Sequence, residues 1–288
     1  LAAVFCAIFP SERYAIVIRW DREHTMNGLS VGYVSGLMLV LCLGPALAEE
    51  PTSATAVTDC AARNAPESTI GHYARFNTTD GSGGSRELLT RLYAMREDEA
   101  LNLNLRIVEP LNLAGTTYLI REKPDQDDMR VYIPALRKVR RVTGNMAATD
   151  LWGTSFSYLD IKLLFGAFID GERELGPDET ISGRPTVKLL IRPSDTEGAP
   201  FERLAAAIDK ETCVILAIDF LDVESQPVKR LTASLDSIQS FDERMLATRY
   251  RMDDLLSGVT TDVELSKLEF DEDLGRAVFN TRGFADAR

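Results

Sequence analysis

The residue types that could carry catalysis are few in this chain, and their spacing does not suit it. Gly-Thr-Ser-Phe-Ser, 153–157, approaches a nucleophile elbow, but Ser157 stands where that motif closes on glycine and no clear strand precedes it. A serine nucleophile of the usual kind also needs a histidine base. Beyond residue 48 the chain has one histidine, His72, in the strand-like run Ile-Gly-His-Tyr-Ala-Arg-Phe, where it reads as a surface or half-buried side chain. With that histidine and two cysteines, Cys60 and Cys213, no soft-metal site of ordinary ligand spacing can be built. The acidic runs at 124–128 and 270–275 lack the twelve-residue spacing of a calcium loop. Gly-Ser-Gly-Gly-Ser, 81–85, leads into a strand rather than a helix, so it is a flexible turn and not a phosphate cradle. Paired carboxylates for glycoside chemistry stay open among the many acidic residues, but no spacing selects a pair. No cofactor is implied, and the residues favour binding over catalysis.

Charge is the second resource. Tyr-Ile-Pro-Ala-Leu-Arg-Lys-Val-Arg-Arg-Val-Thr-Gly, 132–144, concentrates Arg137, Lys138, Arg140 and Arg141 in what reads as a pair of short strands. The rest of the chain is acidic, with 32 Lys and Arg against 44 Asp and Glu, a net charge of −12 and a pI near 4.8. Such a field repels a phosphate backbone, so no nucleic acid is expected as partner. The cations either solvate a strand pair, with long stems covering apolar neighbours, or contact a lipid phosphate or an acidic protein.

These side chains need a scaffold, and the sequence falls into unlike parts. Residues 28–50 hold an apolar core from Gly36 to Gly44 followed by Ala46-Leu47-Ala48, the small-x-small pattern of a signal-peptidase site. We expect 1–48 to be leader and signal peptide, with Met26 a candidate start, cleavage after Ala48 and export to the periplasm. The competing reading is an uncleaved membrane anchor. Residues 49–85 read as an N-terminal helix and first strand, stopped before Pro66, and 86–288 as the body of the same single domain. In an oxidising compartment Cys60 and Cys213 can bridge, or remain two thiols with Cys213 simply buried.

Strand signals dominate the body. Val187, Leu189 and Ile191 alternate with polar neighbours, as do Val259, Thr261, Val263 and Leu265. Period two over so many segments predicts one antiparallel sheet with a wet and a dry face. The run 213–220 is apolar at nearly every position, which predicts a strand covered on both sides. A helix over 155–168, with Phe156, Leu159 and Leu163 at helical spacing, is the candidate cover for the dry face.

Read through Ile161, the basic stretch and the helix opening after it resemble the signature of the outer-membrane lipoprotein-sorting family, the LolA-like carriers. The order is Tyr-x-Pro-Ala-x-x-x-Val-Arg-Arg, then Gly-Thr-Ser-Phe-Ser-Tyr-x-Asp. The paired strands with an Asp-Lys-x-Thr turn at 201–222, the run 247–271 and the ending Val-Phe-Asn-Thr-Arg-Gly-Phe, 278–284, extend the likeness from about Arg86 to the C-terminus. The resemblance implies a mainly β (α+β) fold: a curved, incomplete antiparallel barrel closed on its concave face by short helices.

It also implies a periplasmic carrier that holds a lipoprotein acyl chain or other lipid in that concavity between inner and outer membranes. Its partners would be the cargo and an inner-membrane exporter or outer-membrane receptor. The alternative is a half-barrel sensor or scaffold that binds a protein partner. In the carrier reading, Phe156, Leu163, Phe165, Leu189 and Ile215 line the hydrophobic concavity. Arg137, Lys138, Arg140 and Arg141 then stand at its rim toward a headgroup or partner. The family supplies no catalytic residues.

Overall fold

Alternating burial along the strands shows how the sheet is built. In the computed structural model, which describes residues 53–97, 100–123, 127–142, 148–166, 171–194, 196 and 199–286, nearly every element is extended. The leader, Met26 and the Ala48 site lie outside the described residues, as do Thr143 and Gly144. The described strands run in chain order: β1 (Thr69–Thr79), β2 (Ser85–Glu97), β3 (Ala100–Glu109), β4 (Thr117–Arg121), β5 (Asp128–Ile133), β6 (Lys138–Val142), β7 (Glu172–Leu175) and β8 (Glu179–Ile181). The second half continues with β9 (Arg184–Arg192), β10 (Arg203–Asp209), β11 (Ile215–Leu221), β12 (Pro227–Ala233), β13 (Ile238–Phe241), β14 (Arg244–Ala247), β15 (Arg249–Asp254) and β16 (Thr260–Phe270).

One 14-stranded antiparallel sheet runs β6-β5-β4-β3-β2-β1-β16-β15-β12-β11-β10-β9-β7, with β8 added to β9, while β13 and β14 form a separate hairpin. The first strand pairs with the last, so the chain's two ends join the two halves of the sheet. The path ends at β6 and β7, and the barrel stays incomplete. This is the fold the sequence predicts.

Period two is literal in Leu-Asn-Leu-Asn-Leu, 101–105. Leu101, Leu103 and Leu105 enter the core on the concave face, while the Asn104 amide on the convex face donates to the Val278 and Phe284 carbonyls at 2.7 and 3.0 Å. These bonds, with Leu119, Val278, Phe279 and Phe284 packed together, strap the C-terminal tail to the outside of the sheet. Hairpin chemistry is local. Ser182 and Gly183, with φ of 48° and 86°, make the two-residue turn between β8 and β9, a left-handed pair that favours glycine at its second position. In the Asp-Lys-x-Thr turn, Asp209 Oδ1 accepts from the Glu211 and Thr212 N–H groups. Burial raises the Asp209 pKa, but these bonds and the Arg184 guanidinium outweigh it and hold the carboxyl at about 2.

Two expectations shift. The strand buried on both faces is β10, where positions 204–209 are all buried, and not β11, whose residues alternate. Its apolar letters misled because Ala217 and Leu221 are only half-covered and Asp219 turns outward to Arg230. His72 is fully buried, on the concave face opposite Leu92.

Two short helices cover the concave side: α1 (Ala54–Ala62) lies against β7 and β9, and α2 (Tyr158–Gly166) against β3. The second begins later than its apolar spacing suggests, because Ser157 caps it. The Asp160 N–H donates to Ser157 Oγ at 3.1 Å and the Ser157 N–H donates back to Asp160 Oδ2 at 2.7 Å. That reciprocal box satisfies two donors the first turn leaves unpaired. Phe156 precedes the helix and packs edge-on against Phe76, with ring centroids 5.7 Å apart.

Candidate functional site

An apolar cavity lies between α2 and the β2–β4 part of the sheet. Leu92, Leu103, Leu105, Tyr118 and Ile120 line its floor, and Leu151, Tyr158 and Ile161 line its cover. Its free volume is about 10 Å³, room for roughly one water and far below the roughly 300–1,000 Å³ of an ordinary small-molecule site. A long chain therefore needs α2 to lift. Two hydroxyls interrupt the apolar wall. The Tyr118 and Tyr158 rings are tilted at 42° with centroids 4.7 Å apart, and their hydroxyls hydrogen-bond to each other; burial pushes both phenols up, so both stay neutral. Trp152 closes on Tyr118 edge-on, at 4.6 Å. On the same concave face, burial, reinforced by the Arg91 guanidinium, pulls the His72 imidazole down to about 4, and it is neutral at pH 7.

The cover is held by polar contacts at both ends. Lys229 on β12 donates from Nζ to Asp160 Oδ2 at 2.7 Å and to the Ser155 carbonyl at 3.1 Å, with both charged groups buried. Ser155 donates from Oγ to the Met252 carbonyl at 2.9 Å and from N–H to Thr261 Oγ1 at 3.0 Å. Lys162 on the helix reaches Asp127 at 2.6 Å and Glu122 at 3.8 Å, beyond β4. The two serines of the elbow-like segment are thus committed to holding the cover, Ser157 as cap and Ser155 as anchor.

The residues expected to line the concavity separate. Phe156, Leu163 and Leu189 are buried in the main core and Ile215 packs against it half-buried, but none borders the cavity. The side chain of Phe165 lies outside the described residues. Of the lining leucines, Leu103 and Leu105 lie in the Leu-Asn-Leu-Asn-Leu alternation, which signals a strand and not a cavity, and the tyrosine pair joins two segments 40 residues apart with no local signature. Cys60 and Cys213 are joined as a disulfide, with Cα atoms 5.4 Å apart, tying the end of α1 to the turn before β11. Nearby, Asn64 donates to the Thr212 carbonyl at 2.9 Å.

The basic stretch forms the edge of the sheet, and its cations do not share one face. Register pairs Lys138 with Ile133 and Arg140 with Val131 on the concave side, but Arg141 with Arg130 on the convex side near Asp128. Arg137 sits at the corner in a left-handed conformation, φ 48°. All four are exposed. A charged edge strand blunts edge-to-edge pairing as well as offering charge.

Known proteins share this architecture. A family model described only as an uncharacterized-protein family matches residues 102–286. No curated protein matches the chain. Among solved structures, a DUF1329 family protein from Desulfovibrio piger superposes with a TM-score of 0.70 at 22% identity, covering 81% of this chain and 98% of its own. A putative outer membrane lipoprotein-sorting protein domain from Vibrio parahaemolyticus gives 0.69 at 21% identity, over 79% and 95% of the two chains. A LolA superfamily protein from Nitrosomonas europaea gives 0.66 at 16% identity, over 80% and 98%. The family match spans more than half of the sequence, so the chain belongs to that family of uncharacterized proteins, and it shares its fold with the DUF1329 and LolA superfamily structures.

Proposed function

We propose that this protein is a periplasmic carrier that holds an acyl chain of a lipid or lipoprotein beneath α2 and passes it between membranes. The observation that supports this most is the cavity itself. It is walled by leucine, isoleucine and tyrosine, and its cover is held through ion pairs and one cap rather than through a covalent link. An apolar space of this kind gains about 25 cal/mol for each Å² of hydrocarbon it removes from water, with the tyrosine hydroxyls available to orient a polar linkage. Non-covalent binding without catalysis suits a site whose nearest serines are engaged in structure. The Vibrio neighbour carries a lipoprotein-sorting name and the Nitrosomonas neighbour a LolA superfamily name, which accords with this reading.

Native mass spectrometry of the protein recovered from the periplasmic fraction, before and after organic extraction, tests it. A carrier leaves the cell with an extractable lipid mass. Protein that is always recovered bare, or only with a second polypeptide, would instead favour the scaffold reading.

A further inference from the structure

Seven large apolar side chains are exposed among the described residues, and five of them stand on connections at one end of the half-barrel. Strand direction defines that end: β1 runs into it and β2 leaves it, and the register carries the same end to the β3–β4, β5–β6, β11–β12 and β15–β16 connections. Leu111 is 91% exposed on the β3–β4 loop, Leu136 46% before β6, Leu255 and Leu256 50% and 67% on the β15–β16 turn, and Val223 69% on the β11–β12 turn. Val139, also exposed, follows Leu136 on the edge strand. Described turns at the opposite end carry Lys123, Ser182, Gly183, Lys210 and Glu211 instead.

Turn geometry does not call for these leucines. The turns are shaped by aspartates: Asp222 Oδ1 accepts from the Glu224 and Gln226 N–H groups, and Asp254 Oδ1 from those of Leu256 and Ser257. These two tips are therefore held in place and present apolar side chains that the fold itself does not bury.

We propose that this rim docks on the surface of an anionic lipid bilayer. Successive hairpin tips stand about 10 Å apart, two strand spacings, with the small, polar β1–β2 turn between Leu111 and the Leu255–Leu256 tip. Separate apolar points on an arc suit a fluid interface, into which each sinks on its own, whereas a protein partner would need a matched pocket for every tip. Charge selects the lipid. Arg137 and Lys138 follow Leu136 directly, Arg140 follows Val139, and no Asp or Glu occurs in 110–116, 134–142 or 255–259, although the chain carries −12 overall. Asp222 and Glu224 flank Val223, so the β3–β6 end of the arc leads. Arg86, at the start of β2 on the same end, donates to the Trp152 carbonyl in the cavity's cover at 3.2 Å, which places that cover beside the docked rim. Docking itself requires no bound cargo.

An environment-sensitive nitrobenzoxadiazole label tests this in the full chain with Cys6 and Cys42 changed to serine. It is placed through Leu111→Cys, Leu256→Cys or, at the opposite end, Ser182→Cys, and titrated with phosphatidylglycerol-containing vesicles. The emission should shift to the blue at 111 and 256 and stay unchanged at 182. Arg137→Ala with Lys138→Ala should weaken the shift about tenfold on anionic vesicles and leave zwitterionic vesicles unaffected. No shift at 111 and 256, an equal shift at 182, or a shift only on adding a periplasmic protein fraction would each overturn the proposal.

Discussion

The concave face has two halves, each roofed by one short helix, and they are built differently. Under α1, Val57 and Ala61 pack with Val187, Leu189 and Ile191, and the helix end is bonded covalently through Cys60 and Cys213. Under α2 the roof is held by a capping box, by Asp160 with Lys229 and by Lys162 with Asp127, and a cavity remains beneath it. A covalent tie over a filled core makes a fixed frame. In the proposed carrier, ion pairs over a looser core make the roof that loading has to move.

If the α1 half is frame only, removing its tie should cost the most stability and no binding. The disulfide joins residues 153 apart, and closing a loop of that length restricts the unfolded chain by about 5 kcal/mol. Cys60→Ala with Cys213→Ala should lower the unfolding free energy in urea by up to that amount while leaving acyl-probe affinity unchanged.

The next effect belongs to the α2 half. Lys229→Ala leaves Asp160 charged and buried, a loss of about 3–5 kcal/mol when one partner of a buried pair is removed. Because Lys229 also holds the Ser155 carbonyl, the same variant should show faster amide exchange across 155–163. Exchange unchanged there would separate the ion pair from the roof.

His72 makes the face sensitive to acid. Its folded pKa of about 4 lies below the unfolded 6.5, so between those values the unfolded chain binds the extra proton. Stability from this residue is intact above pH 6.5 and falls as pH drops toward 4, by about 3 kcal/mol at about 1.4 kcal/mol per unit. Melting followed from pH 7 to 4 should show this slope, and His72→Gln should flatten it whatever its absolute stability. Smallest is the cap: Ser157→Ala should cost about 1 kcal/mol, read as a drop in melting temperature of a few degrees.

Much of the frame was legible because period two is imposed residue by residue. The alternation at 187–191 and 259–265, the Asp-Lys-x-Thr turn and the helix before Pro66 need only local chemistry, and each is present in the structure. The cavity was not legible. Phe156, Leu163 and Leu189 carry the same apolar signal as Leu92, Leu103 and Ile161, and packing across the face decides which of them border empty space. β11 misled for a related reason, since apolar letters do not tell whether a neighbour covers them. The basic stretch announced its charge but not its division between two faces, which depends on pairing with β5.

The central claim is that the space under α2 binds hydrocarbon, and titrating delipidated protein with a fluorescent fatty acid tests it most directly. The account predicts saturable binding at one site, weakened about tenfold or more by Ile161→Trp, which blocks the space beneath α2, and unaltered by Leu189→Met in the α1 half; tenfold corresponds to about 1.4 kcal/mol. No saturable binding by the wild-type protein, or equal binding by a folded Ile161→Trp variant, would contradict it.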